Sequence, residues 1–166
     1  MLEPGAAVVL DTETTGLRGA VVEIAVIDAA TGAVLLDTLV NPGDVPMEPQ
    51  AQAVHGITMQ ALADAPTWDK VVAKVRKATR GKVVLAYNAE FDRARIGEDC
   101  RRYGVKPMHL GDPTTWSCVM NRRSDYLGIH RWVALGGGHR ALGDCRSARD
   151  VLIRMAGQST STARGA

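Results

Sequence analysis

Three short apolar runs crowd into the first forty residues, and each is bounded by residues that turn the chain. Residues 6–11 are brief and apolar and end on Asp11. Residues 21–28 are apolar and β-branched, and residues 33–40 follow a tight turn at Ala30, Thr31 and Gly32. Runs of this length and branching read as strands, and turns this short join strands as hairpins. A fourth run, residues 83–86, lies between two helix-like stretches. A strand meander followed by strands alternating with helices predicts an α/β fold with a mixed central sheet flanked by helices.

The remaining elements follow from punctuation. Thr14, Thr15 and Gly16 signal a turn, and residues 41–52 hold Pro42, Pro46 and Pro49, which predicts a loop. A short helix is expected near Thr58, and a longer one over residues 67–78 with Thr67 at its N-cap. Asn88 is placed to cap a helix reaching about Tyr103, which Gly104 ends. Residues 114–121 read as helical, Gly136 to Gly138 as a flexible break, and residues 142–156 as the last helix, with Leu142, Ala148, Val151, Leu152 and Met155 as its apolar stripe. The tail from Gly157 is Gly, Ser, Thr and Ala with little to bury, so residues 1–156 are expected to form one domain and 157–166 to be disordered.

The chemistry lies in four carboxylates and one imidazole. Residues i and i+2 of a strand share a face, so Asp11 and Glu13 present two carboxylates side by side, with backbones about 7 Å apart. Asp92 opens the helix after the fourth strand, and Asp144 opens the last one. Ligands of α/β sheets gather at the carboxyl ends of strands, where Asp11 and Asp92 lie. Acidic groups gathered in one site repel one another unless cations hold them, and hard cations such as Mg²⁺ or Mn²⁺ prefer oxygen donors. Two such ions can activate a water and stabilise the leaving oxygen in phosphodiester cleavage. His139 lies five residues before Asp144, off-phase for a shared helical face, which places it on the loop after the glycines. An imidazole with an ordinary pKa near 6.5 suits proton removal from the attacking water.

Bulk properties narrow the class further. The 166 residues suffice for one domain with a proper core, and aromatics at 4% leave Val, Leu, Ala and Ile to fill it. Three cysteines, Cys100, Cys118 and Cys145, without a C-x-x-C pair argue against a disulfide scaffold or zinc knuckle. No apolar run approaches the roughly 20 residues of a membrane span. The opening MLEPG lacks the basic-then-apolar pattern of a signal peptide, so a cytoplasmic location with no membrane partner is expected. Residues 1–79 carry 5 basic and 10 acidic side chains, whereas residues 80–154 carry 14 and 8. A basic second half suits a polyanionic partner, although a solvated helix surface would look similar.

Three segments carry a resemblance to a known family. DTETTGL at 11–17, NAEFD at 88–92 and HRALGD at 139–144 resemble the three motifs of the DEDDh exonucleases, proofreading-type 3′→5′ nucleases akin to the epsilon subunit of bacterial DNA polymerase III; HGIT at 55–58 matches a further signature. The resemblance spans about residues 6–156. It implies a ribonuclease H-like fold, two divalent cations (Mg²⁺ or Mn²⁺) and release of nucleoside monophosphates from a nucleic acid with a free 3′ end, DNA ahead of RNA. Polymerase association is a further implication. Asp11, Glu13, Asp92 and Asp144 match the cation ligands, and His139 matches the base. Thr14, Gly16 and Leu17 match the segment that contacts the terminal nucleotide, and His55, Asn88 and Phe91 match residues lining its pocket.

Each motif has a plainer reading on its own. Asp11 to Glu13 can be strand-exit turn chemistry, Asn88 to Asp92 a helix N-terminus, and His139 a surface loop residue. Leu17 can anchor its loop, Phe91 can be core, and His55 can be a satisfied loop histidine. Trp68, Trp116 and Trp132 read as core or interface residues, and Arg18, Arg93, Arg140 and Arg146 either touch phosphates or are solvated. The three motifs together, in order, would demand independent coincidences. Two other functions fit the same residues: an exoribonuclease trimming short RNA, and a non-catalytic nucleic-acid-binding or polymerase-associated module. An idle acidic cluster would repel itself, which argues against the module.

Overall fold

The computed structural model describes residues 3–162. Strand β1 (Ala7–Thr14) is followed by β2 (Val21–Asp28) and β3 (Val34–Leu39), each antiparallel to its predecessor. Strand β4 (Val83–Ala86) then pairs parallel to β1 on its other side, and β5 (Trp116–Cys118) pairs parallel to β4. The spatial order is β3-β2-β1-β4-β5. This is the mixed sheet expected from the hydrophobic pattern, with β1 at its centre and the direction of the chain reversing beside it.

Helices cover both faces. On one side, α3 (Trp68–Thr79) and α4 (Ala89–Arg102) pack on Val8, Leu10, Ile24 and Val26 through Trp68, Val75 and Ile96. On the other, α5 (Val119–Leu127) and α6 (Ala141–Thr162) meet Val9, Ala25, Ile27 and Leu85 through Val119, Cys145 and Ala148. Strand alternation explains the split: Val8 and Leu10 point to one layer, while Val9 and the residues in phase with it point to the other. Every residue of β2 is buried, as befits a strand covered on both faces. Asp99 on α4 accepts the Val21 amide at 2.8 Å and ties that helix to the start of β2.

The structure differs from the sequence-based expectation in four places. Residues 114–121 are not one helix: a 3₁₀ turn (Pro113–Thr115) leads into β5, and α5 begins only at Val119. Strand β5 exists because Trp116, Ser117 and Cys118 dock on the free edge of β4, a tertiary contact with no local signal. The proline-rich loop is shorter than expected, because α1 (Pro49–His55) starts inside it and α2 (Met59–Leu62) follows. Pro49 occupies the first turn, where its missing N–H costs nothing. Strand β1 runs on to Thr14, past the expected end at Asp11, so Glu13 also lies within it. The last helix passes Ala156 and reaches Thr162; residues 163–166 of the expected tail lie outside the described residues. Thr67 and Asn88 do stand at the N-cap positions of α3 and α4, yet neither side chain makes a cap bond.

All three cysteines are free, with Cys100 and Cys145 buried. Trp68 is fully buried, Trp116 packs at the core margin, and Trp132 is exposed. Among the described residues no helix is long and apolar enough to cross a membrane.

Candidate active site

Asp11 and Glu13 share the face of β1 that looks toward α6. Asp144, in the first turn of α6, meets them there: one carboxylate oxygen from each of the three residues lies within 4.8 Å of the others. Asp92 arrives from the opposite layer, at the start of α4. It is buried, and Thr12 Oγ1 donates to its Oδ1 at 2.7 Å. Thr12 alternates with Asp11 and Glu13 and so faces the α4 side, which makes it the strand's own hold on the fourth carboxylate. Nothing in the motif had singled out Thr12. All four acids, together with His139, Asn88 and Phe91, line one hollow at the carboxyl ends of β1 and β4.

The electrostatics are those of crowded, partly desolvated acids. Burial first, then Asp92, Glu13 and Asp144, hold the Asp11 carboxyl well above the usual range. Burial and the neighbouring Asp144 push Glu13 up to about 7. Burial pushes Asp92 to about 7 as well, against the lowering effect of the Thr12 hydroxyl. Asp144 is also raised by burial, while His139 and the backbone amides of His139 and Gly138 oppose the rise. One oxygen of that carboxylate, Asp144 Oδ1, is buried and has no hydrogen-bond partner. A buried acceptor left unpaired carries a desolvation cost that a ligand would relieve. An all-oxygen donor set of four acids, one with an orphaned oxygen, fits divalent cations such as Mg²⁺ or Mn²⁺.

The glycine run before α6 is more than a flexible break. A Cβ added at Gly137 would lie 2.0 Å from Asp144 Oδ1, so only glycine lets the backbone pass this close to the carboxylate. His139 follows on the loop, exposed, with φ 53, one of two non-glycine residues described with positive φ. The loop position agrees with its off-phase spacing, and the residue lines the rim of the hollow.

A second cavity, of about 460 Å³, adjoins the first and shares Thr12, Glu13 and Phe91 with it. Its apolar wall is Leu17, Ala51, Val54 and Phe91. Leu17 is 80% exposed, so it projects from its turn and is not anchored against the core. Phe91 is half-buried, with the Arg95 guanidinium 5.9 Å from its ring centre, which removes it from the deep core. Thr14 is buried and donates to the Gly16 carbonyl at 2.8 Å, closing the turn that carries Leu17. Gly16 itself sits beneath the Glu48 carboxylate, which any Cβ there would overlap. Val54 and Ala51 were missed in the sequence because their segment reads as a loop; the signal available was the run PQAQAVH, a helix former once Pro49 is taken as its first residue.

His55 also lines this cavity, and both its ring nitrogens are used. Nδ1 accepts from the Ile57 amide at 3.0 Å, which leaves Nε2 protonated to donate to the Thr14 carbonyl at 3.1 Å. Burial keeps its pKa low and the ring neutral. It braces the end of β1, in keeping with a satisfied histidine. Arg140 is likewise committed: it grips Glu23 on β2.

A family model described as exonuclease, RNase_T, matches residues 8–152. The chain belongs to the RNase T exonuclease family. Family membership implies a hydrolase acting on nucleic acid, and it agrees with the resemblance read from the three motifs. The exonuclease domain is 32% identical to an uncharacterised exonuclease of Escherichia phage 186, over 89% of this chain and 86% of the relative. It is 35% identical to exodeoxyribonuclease 10 of Escherichia coli over 68% of this chain, a match spanning only 44% of that protein's length. Among solved structures, exonuclease X bound to 5′-overhanging duplex DNA superposes with a TM-score of 0.69 at 31% identity, covering 93% of both chains. An Escherichia coli exonuclease I complex with single-stranded DNA shares the fold at TM-score 0.67 and 18% identity, over 89% of this chain and 40% of that one. The mixed five-stranded sheet is thus the ribonuclease H-like fold of exonucleases.

Proposed function

We propose that this exonuclease is a DEDDh-type, two-cation 3′→5′ enzyme that removes nucleoside monophosphates from the 3′ end of DNA. The observation that carries the reading is the convergence of Asp11, Glu13 and Asp144, with an unpartnered Asp144 oxygen, beside a cavity of nucleotide size. Preference for DNA over RNA rests on the relatives, which include a protein named exodeoxyribonuclease and a neighbour solved with duplex DNA. A polymerase III epsilon-like protein of Rhodobacter capsulatus, 42% identical over 51% of this chain, makes polymerase association a secondary proposal; the match spans 13% of that protein.

Asp11, Glu13, Asp92 and Asp144 would hold Mg²⁺ or Mn²⁺. When bound, such cations supply Lewis acidity, making water acidic near neutral pH and stabilising charge on a leaving oxygen. The chain's own residues do the rest. Leu17, Val54 and Phe91 take the terminal base against apolar surface, with π-stacking on Phe91. His139 accepts the proton of the attacking water, whose oxygen forms the new bond to phosphorus. The bond from phosphorus to the 3′ oxygen of the preceding nucleotide breaks, and the terminal residue departs as a nucleoside 5′-monophosphate.

Matched single-stranded DNA, duplex DNA and RNA, each labelled at the 5′ end and digested with Mn²⁺, test this directly. The proposal expects a ladder shortening from the 3′ end, fastest on DNA. Faster trimming of RNA would make the chain an exoribonuclease, and binding without release of mononucleotides would make it a non-catalytic module.

A further inference from the structure

Glu23 is the acid of this neighbourhood that the hydrolytic reading does not use. It stands directly opposite Glu13 in the β1–β2 ladder and is only 4% exposed. Two carboxylates facing each other across a strand pair repel, and a buried one needs a partner. Glu23 has two. Arg140 Nε lies 3.1 and 3.0 Å from its two oxygens, with Nη2 also on Oε1. The Ala141 amide, at the start of α6, donates to Oε2 at 2.9 Å. Both oxygens are therefore occupied from the α6 side, and Glu23 is not available as a further cation ligand.

These bonds grip the chain at one place: the side chain of Arg140 and the amide that follows it. The residue immediately before is His139, held at φ 53. A left-handed conformation costs a side-chain-bearing residue roughly 1–2 kcal/mol and persists only where its surroundings impose it. On its N-terminal side the backbone amides of Gly138 and of His139 itself are drawn to the Asp144 carboxylate, which fixes one end of the residue. On its C-terminal side lies a bidentate ion pair reaching back 117 residues to the central sheet. The Arg140 carbonyl also accepts the Asp144 amide at 2.9 Å, locking the first turn of α6 in the same frame.

We propose that Glu23 and Arg140 are positioning residues that set the imidazole of His139 over the carboxylate hollow. Neither touches the reacting atoms. The inference rests on the reading of His139 as the base, so its test keeps the two apart. Glu23→Gln retains the shape and an acceptor for the Ala141 amide but loses the charged grip. Arg140→Lys retains the charge and loses the bidentate geometry.

The experiment is a double-mutant cycle on a 5′-labelled DNA oligonucleotide with Mn²⁺. Glu23→Gln alone is expected to lower kcat by roughly 10- to 100-fold through misplacement of the base, with KM unchanged. In a His139→Ala background the same substitution should change kcat by less than about twofold, because nothing remains to be positioned. If Glu23→Gln slows the His139→Ala protein by the same factor as the wild type, or leaves kcat of the wild type untouched, the positioning role is wrong. Should Glu23→Gln fail to fold by circular dichroism, Arg140→Lys enters the cycle in its place with the same expectations. If the wild type releases no mononucleotide, the hydrolytic reading has failed separately, and placement is read by NMR alone. The ring Cε1–H resonance of His139 should then broaden in Arg140→Lys while that of His109, far along the chain, stays sharp. An unaltered His139 resonance would overturn the proposal.

Discussion

The hydroxyl of Thr12 donates to Asp92 Oδ1 at 2.7 Å, and this bond ties the start of α4 to the strand that carries Asp11 and Glu13. It is also what restrains the rise in the Asp92 pKa that burial causes. A hydrogen bond to a charged group contributes about 1.5–3 kcal/mol. Thr12→Val keeps the shape and removes the donor, so the Asp92 pKa climbs beyond about 7 and less of it is ionised at neutral pH. Activity of the variant at pH 7 should fall roughly tenfold or more and recover in part as pH is raised, because the ionised carboxylate returns. A pH–rate profile with Mn²⁺ measures this. A profile superimposable on the wild type would mean that the bond does not support the site.

Crowding of the acids has a thermodynamic consequence of fixed sign. Native Glu13 and Asp92 titrate near 7, above the ordinary values of 4.5 and 3.8, and Asp11 is raised as well. Between those limits the folded chain holds protons that the unfolded chain has released, so these groups withdraw stability as pH rises through that window. Asp11→Asn relieves the repulsion. Without metal, the variant should melt higher than the wild type at about pH 8, and the difference should shrink toward pH 5, where the native carboxyls are protonated. Equal melting at both pH values would contradict the inferred repulsion.

A Cβ at Gly137 would sit 2.0 Å from Asp144 Oδ1. Gly137→Ala must displace either the loop or the carboxylate. Overpacking of this kind typically costs about 1–3 kcal/mol. The loss should appear as a higher Mn²⁺ concentration for half-maximal activity, with the fold intact by circular dichroism. Gly138→Ala, where nothing lies within 4 Å, is the control and should be far milder.

His139 is exposed at the rim and is not among the three residues whose oxygens cluster. Its removal should therefore reduce the rate without unseating the cations. His139→Ala is expected to slow mononucleotide release by about 10²–10⁴ while the rise in melting temperature caused by Mn²⁺ is retained. Full activity in the variant would remove the base from the mechanism.

The four acids of the hollow were legible in the sequence because strand periodicity and helix starts dictate where they point. Asp11 and Glu13 share a face by the two-residue repeat, and Asp92 and Asp144 each lie in the first turn of a helix whose start the sequence signals. What was not legible depends on contacts between distant segments. Strand β5 has three residues and no apolar pattern; pairing with β4 creates it. The apolar wall supplied by Val54 was hidden because prolines suggest a loop, while Pro49 is compatible with a first helical turn. Arg140, adjacent to the motif histidine, gave no hint whether it meets phosphate or protein; Glu23, more than a hundred residues earlier, decides it. His55 matched a pocket residue by motif, and its hydrogen bonds show it bracing the strand end as well.

The proposed mechanism requires Asp11, Glu13, Asp92 and Asp144 to form one cation-binding site. Titration of the metal-free protein with Mn²⁺, followed by electron paramagnetic resonance of the free ion, tests it most directly. Saturable binding is expected, strengthening as pH rises through 7 and lost in Asp11→Asn. Absence of saturable binding, or binding unchanged in the variant, would contradict it.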